Sequence, residues 1–291
     1  MDFPSIALLT DFGDRDGFVG VMKGVLLSRL AQPVPIVDIS HQIEPQNIRQ
    51  ALWVLGSAYS YFPPKSIFIN VVDPGVGCGE QASLLAFWPE REQIFIAPDN
   101  GLLTPIYEAA GETLQIVDIR RSALYEQDLL SLHGRSNTFH GRDVYAPIAA
   151  LTANAFLQDN LTSFLAQFDR LEHAPIQFNR QKPSLIKETH GNLIQGEIIA
   201  CDHFGNLITN IPNHWAQPGY VYTLKIHGQT SKPCMYQETY SNLSKPHTSS
   251  ESPLLLIPSS GGTLELALFR GNAQQTLQLS VSDPLILHFT P

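Results

Sequence analysis

Ser66-Ile-Phe-Ile-Asn-Val-Val-Asp-Pro-Gly-Val-Gly77 is the stretch that settles the fold. Ile67 to Val72 is apolar apart from Asn70, and Ile67, Ile69, Val71 and Val72 are β-branched. A short apolar run between Pro63-Pro64 and Pro74-Gly75 predicts a buried strand. The run does not alternate, so both faces are expected to be covered, as in a parallel sheet between helix layers. Asp73 falls where that strand ends. A carboxylate there loses hydration and needs a partner or a task. The carboxyl edge of an open α/β sheet is also where ligands bind.

The segments on either side repeat the pattern. Ile6 to Thr10 predicts a strand running into Asp11-Phe12-Gly13-Asp14-Arg15-Asp16. Phe18, Val21, Met22, Val25, Leu26 and Leu30 then follow helical spacing, with Asp14 or Asp16 as a candidate cap. Ile36 to Ile39 is a short strand holding Asp38, and Glu44-Pro45 is expected to open a helix that Pro63-Pro64 ends. Leu84 to Trp88 and Gln93 to Ala97 predict two more strands, the second leading to Asp99. Asp11, Asp38, Asp73 and Asp99 thus recur at one sheet edge. Each alone suits a turn or a cap; together they predict a polar pocket. Further on, Thr138-Phe139-His140-Gly141-Arg142-Asp143 precedes an apolar helix from Val144 to about Ala155, with Pro147 in its first turn.

The pattern changes beyond residue 173. Residues 174–190 carry two Pro and two Lys with little periodicity and are read as a linker between domains at 1–173 and 191–291. Short strands are expected at Ile194 to Ala200, Val221 to Ile226, Leu254 to Ile257, Leu264 to Phe269, Leu277 to Val281 and Ile286 to Phe289. The chain therefore reads as an α/β N-terminal domain with a Rossmann-like parallel sheet, followed by an all-β, barrel-like C-terminal domain. Thr239 to Ser252 is polar and read as a loop.

Composition narrows the function. The 291 residues carry a formal net charge of -9, against nucleic acid or an anionic membrane as the main partner. The three cysteines, Cys78, Cys201 and Cys234, lack paired spacing, so neither a disulfide framework nor a cysteine zinc site is expected. No apolar run reaches the roughly 18 residues of a membrane span, and no signal-peptide pattern opens the sequence. A cytoplasmic protein is expected. A Walker loop, Gly-x-Gly-x-x-Gly, His-Glu-x-x-His and Gly-x-Ser-x-Gly are all missing, and no close ligand pair predicts a metal.

Five motifs remain: Thr10-Asp11-Phe12-Gly13, Asp73-Pro74-Gly75-Val76-Gly77, Pro98-Asp99-Asn100-Gly101-Leu102-Leu103, Phe139-His140-Gly141-Arg142-Asp143 and Asp202-His203-Phe204-Gly205-Asn206. As an ordered set they resemble the S-adenosyl-L-methionine (SAM) hydrolases, also called SAM hydroxide adenosyltransferases, which are related to fluorinase and chlorinase enzymes. The resemblance spans nearly the whole chain. It implies SAM as substrate without a further cofactor, and a homotrimer whose sites lie between the N-terminal domain of one subunit and the C-terminal domain of the next.

It also implies roles. Asp11 resembles the carboxylate that holds both ribose hydroxyls, and Asp16 the acid that takes the methionine amino group. Ser259 and Ser260 resemble the segment on the methionine carboxylate. Phe204, Asn206, Tyr240 and the backbone near Arg270 resemble adenine contacts. Phe139, Gly141 and Asp202 join the binding set through their motifs. Asp73 and His140 resemble two of three residues that activate water. The chemistry suits these roles: a carboxylate accepts two hydroxyls, an amide reads an adenine edge, and acids favour a sulfonium cation.

The halogenases carry Tyr where Asp73 stands, so water is the expected nucleophile. The hydrolases carry Arg seven residues after the strand-end Asp, whereas this chain has Glu80. Arg142 and Arg15 are candidates to replace that cation. The alternatives are a SAM- or adenosine-binding protein without activity, and an adenosyl transferase using halide.

Overall fold

The computed structural model describes residues 3–79, 81–171, 173–178, 183–188, 191–226, 230–240 and 253–290. Glu80 and most of the polar loop after Thr239 lie outside the described residues. The chain divides into two compact units, Met1–Phe178 and Asn179–Pro291, so the boundary falls inside the stretch read as linker.

The first unit runs β1 (Ser5–Thr10), α1 (Phe18–Arg29), β2 (Ile36–Ser40), α2 (Ile48–Ala58), β3 (Ser66–Val71), β4 (Ser83–Trp88), β5 (Gln93–Pro98), α3 (Thr104–Ala110), β6 (Gln115–Asp118), α4 (Ala123–Glu126), α5 (Ala146–Leu157) and α6 (Leu161–Leu165). Its sheet has the order β2-β1-β3-β5-β4-β6. The first four strands in that order are parallel, and β4 is antiparallel to both its neighbours.

Every residue of β3 is buried, as the unbroken apolar run requires. Ile67 and Ile69 pack on one side with Met22, Leu26 and Ile148 from α1 and α5. Phe68 packs on the other with Leu55 and Ile106 from α2 and α3, and its ring stacks on Phe95 at 4.7 Å. Each such side chain contributes about 1.5–3 kcal/mol by leaving water. Because both sheet faces are covered, functional groups are confined to the strand ends.

The helix starts differ from expectation. Gly17 is the N-cap residue of α1 and no side chain caps it, so neither Asp14 nor Asp16 does so. The helix after β2 starts at Ile48, where the Asn47 side chain accepts from Gln50 N. Glu44-Pro45 lies in the preceding loop. Residues 173–178 are tied to the first unit: Ile176 N donates to Asp99 and Phe178 N to Thr104 Oγ1.

The second unit holds β7 (Ser184–Glu188), β8 (Gly191–Cys201), β9 (Leu207–Pro212), β10 (Val221–Ile226), β11 (Thr230–Tyr236), β12 (Leu254–Pro258), β13 (Thr263–Leu268), α7 (Ala273–Leu277) and β14 (Pro284–Thr290). The order β14-β10-β11-β12-β13-β9-β8 closes through a β8–β14 pairing, giving a seven-stranded barrel flanked by β7. Ile194, Leu224, Leu256, Leu266 and Leu287 fill it.

Leu277 to Val281 is not a strand. Asn272 caps α7 by accepting from Gln275 N, and Gln278 ends it in the left-handed region. Leu277 and Leu279 still reach the barrel core, which explains an apolar–polar alternation without a ladder.

Candidate active site

Two of the four strand-end aspartates share a cleft, and two do not. Asp38 lies 2.6 Å from Lys23 Nζ and 3.0 Å from His41 Nε2. His41 Nδ1 in turn meets the buried Thr10 hydroxyl at 2.9 Å. Asp99, only 2% exposed, binds His173 Nε2 at 2.8 Å and Ile176 N at 2.8 Å. Asp38 and Asp99 therefore tie surrounding segments to the sheet. They correct the expectation that all four acids form one pocket.

Asp11 and Asp73 do line one cleft, of about 290 Å³, with Phe12, Phe18, Phe139, His140 and Gly141. The three phenylalanine rings pack edge-on or tilted, 5.2–5.7 Å apart, and make an apolar wall beside Asp11. Gln46 N holds Asp11 Oδ2 at 2.8 Å. Asp16 is exposed in the turn before α1 and does not line this cleft.

A second cleft, of about 470 Å³, is lined by the same pair, with Gln81, Arg120, Arg135 and Tyr145. Asp73 and His140 thus border both spaces. Asp73 Oδ1 accepts from Gly75 N and from Gln81 Nε2, each at 3.1 Å. Burial raises the Asp73 carboxyl above its ordinary value, and Asp11 adds to the rise. Burial lowers His140, with Arg135 and Arg120 pushing the same way, so its ring is neutral near pH 7. A carboxylate with raised basicity beside a neutral imidazole can take a proton and hold a water.

Local structure fixes both groups. His140 stands at the N-cap position of a π-type turn, Gly141–Tyr145, that feeds α5. Such turns are frequent at functional sites. Arg142 grips Asp143 through two 2.7 Å bonds, and Asp143 also accepts from Ser136 N, tying the preceding loop to the turn. Arg142 is thereby committed to Asp143, and Arg15 is exposed in the turn before α1. Neither lines the cleft around Asp73; Arg120 and Arg135 do. Gly77 has φ +82°, and a Cβ there would lie 2.6 Å from the Asn137 carbonyl oxygen, so the loop after Asp73 demands glycine.

The second unit carries its own cleft, of about 690 Å³, lined by Asp202, Phe204, Asn206, Tyr240, Phe269, Arg270 and neighbours. Asp202 is spent on the loop: its oxygens accept from Phe204 N, Asn206 N and Asn206 Nδ2 at 2.8–2.9 Å. Phe204 is 74% exposed, an unusual state for a large aromatic ring. The Tyr240 hydroxyl donates to buried Glu265, whose carboxyl burial pushes up. Ser259 and Ser260 lie at the β12–β13 turn and do not line this cleft.

Sequence reading missed Phe12, Phe18, Gln81, Arg120, Arg135 and Glu265. Two of them left a signal: Phe12 stands in the Thr10–Gly13 motif, and Glu265 is an acid inside the apolar strand Thr-Leu-Glu-Leu-Ala-Leu. Among the described residues, no three of His, Cys, Asp and Glu group to hold a metal, and no helix is long and apolar enough to cross a membrane.

An α/β unit with a carboxylate–imidazole pair at its sheet edge, followed by a closed β-barrel unit, defines the class. The SAM hydroxide adenosyltransferase N-terminal domain matches residues 6–160, and the family's C-terminal domain matches residues 196–286. The chain belongs to this family. It is 30% identical to the (R)-S-adenosyl-L-methionine hydrolase of Methanocaldococcus jannaschii, over 96% of this chain and 94% of that protein. It is 27% identical to a fluorinase of Actinoplanes sp. over 72% of each. A crystal structure of an uncharacterized conserved protein from Thermotoga maritima superposes with a TM-score of 0.80 at 30% identity, covering 97% of this chain and 99% of that one.

Proposed function

We propose that this protein hydrolyses SAM at the ribose C5′, giving adenosine and L-methionine. The observation that carries the reading is that Asp73 and His140 line the same two clefts, one of which also holds Asp11. Family membership and the relatives named SAM hydrolases support it.

Asp11 accepts the ribose hydroxyls, and the Phe12, Phe18 and Phe139 wall keeps bulk water from the adenosyl group. A water held by Asp73 and His140 attacks C5′ in line with the sulfur. The O–C5′ bond forms as the C5′–S bond breaks. Its electron pair goes to sulfur, methionine leaves as a neutral thioether, and the water proton goes to Asp73. Holding water in line supplies several kcal/mol. The acids of the cleft favour the sulfonium cation and disfavour halide.

In the second unit, the exposed Phe204 ring and Tyr240 stack on or flank the adenine, and Asn206 and the backbone near Arg270 bind its edge. Asp16, Ser259 and Ser260 are assigned to the methionine end on family likeness alone. The reaction draws on no cofactor. The protein acts as a homotrimer in the cytoplasm, a setting that three cysteines without paired spacing suit; light scattering checks the trimer.

Turnover of SAM in ¹⁸O water is the test, run on the R and S sulfonium epimers separately because the relatives' names specify R. Adenosine carrying ¹⁸O at C5′ is the expected product. Intact bound SAM, or a halogenated nucleoside formed only on adding halide, would overturn the reading.

A further inference from the structure

We propose that Gln81 and Arg120 are positioning residues that fix which oxygen of Asp73 receives the proton. The proposal deepens the hydrolase reading and rests on it for the meaning of Asp73. The loop between Asp73 and β4 carries the connection. Gln81 Nε2 donates to Asp73 Oδ1 at 3.1 Å, and Gly75 N shares that oxygen. Among the described residues no group bonds Oδ2. One oxygen is thus tethered, and the other is left for the water.

Gln81 is itself held from behind. Arg120 Nη2 donates to the Gly79 carbonyl at 2.9 Å, and Nη1 donates to the Gln81 carbonyl. The guanidinium fork therefore spans the backbone on both sides of residue 80. Arg120 is anchored in turn, because its own backbone N donates to Asp118 Oδ1 at 3.0 Å, an oxygen that also takes Ser83 N. A chain of contacts runs from the end of β6 through Arg120 and Gln81 to Asp73.

Gly75 reports on the same contact. A methyl group added there would run into Gln81 Oε1, the end of a flexible side chain, with no backbone beside it. Gly75 leaves room for the Gln81 amide to reach Asp73, and a substitution would push that amide aside at little cost to the fold. The other charged or titratable groups in the two clefts with Asp73 are Asp11 after β1, His140 at the cap of the π-type turn and Tyr145 within it, and Cys78, Arg120, Arg121, Tyr125, Glu126 and Arg135 in the second cleft.

The test is the titration of Asp73 by carboxyl ¹³C NMR, with Asp73→Asn identifying its signal, alongside the pH profile of SAM turnover. A hydrogen bond to an ionised carboxylate is worth about 1 to 2 pH units of its titration. Gln81→Met is expected to raise the Asp73 midpoint by that amount and to move the acidic limb of kcat upward with it, KM staying level. Gly75→Ala is expected to do the same while keeping Gln81. Arg120→Met is expected to shift the midpoint in the same direction, and to add nothing in the Gln81→Met background.

An unmoved Asp73 midpoint in Gln81→Met and Gly75→Ala overturns the proposal. So does an Arg120→Met shift of equal size with and without Gln81, the mark of charge acting directly. A wild-type protein that makes no labelled adenosine sinks the hydrolase reading instead, and the NMR midpoints still decide the tether.

Discussion

Asp73→Asn separates the chemistry from the scaffold. Asn keeps an oxygen for Gly75 N and Gln81 Nε2, so the 3.1 Å bonds that shape the loop survive. What disappears is the proton acceptor. General-base groups contribute about 10²–10⁴-fold in rate, or about 3–5 kcal/mol at about 1.4 kcal/mol per tenfold. Turnover should fall by that range, and by much more than SAM affinity measured by calorimetry, which loses only the charge that Asp73 offers the sulfonium. Stability should move the other way. The folded carboxyl titrates above its unfolded value, so its ionised form opposes folding once the pH exceeds the unfolded pKa, and fully above the folded one. The variant should therefore melt slightly higher than wild type at pH 7 and at the same temperature at low pH. Wild-type turnover should fall as the pH drops through the raised value. Turnover in Asp73→Asn within threefold of wild type would remove Asp73 from the mechanism.

Three other substitutions probe the supports. Arg142→Met leaves buried Asp143 without its two 2.7 Å partners and should cost about 1–3 kcal/mol at pH 7 in urea unfolding. Burial opposes the Asp143 charge, but Arg142, Ser136 and Ser131 outweigh it and hold the carboxyl below its ordinary value. The pairing thus stabilises above the unfolded pKa and is lost as pH falls through the folded one, so the difference between the proteins should shrink as the pH falls below the ordinary carboxylate range; an equal cost at pH 7 and in acid contradicts this. Gly77→Ala must hold φ +82° against the Asn137 carbonyl and should lose about 1–3 kcal/mol together with most turnover, read by unfolding and by adenosine release. Phe204→Ala should weaken adenosine binding by about 1–3 kcal/mol in calorimetry without moving Tm, since the ring is exposed.

The fold was legible where burial has a period. Ile67 to Val72 lacks alternation because Ile67 and Ile69 meet α1 and α5 while Phe68 meets α2 and α3. Composition alone carries that fact. Leu277 to Val281 misled because it alternates: Leu277 and Leu279 reach the barrel core from a capped helical turn and the loop after it, and a five-residue apolar–polar alternation cannot distinguish that from a ladder. β9 follows directly on the Asp202–Asn206 motif, whose turn residues masked the strand behind them.

The candidate site was legible only as far as residue type goes. Three aspartates follow the ends of β1, β3 and β5 and a fourth sits inside β2, yet their fates are set by partners distant in sequence. His173 claims Asp99 across 74 positions, and Lys23 claims Asp38 from a helix on another segment. Asp11 and Asp73 are met mainly by backbone amides and a neutral amide side chain. An acid paired with a cation has its charge spent; one held only by neutral donors keeps it for a ligand. That difference, invisible in the sequence, leaves Asp11 and Asp73 with charge to offer a ligand and Asp38 and Asp99 without it. Arg120, which bonds backbone carbonyls, can likewise order the loop without neutralising Asp73.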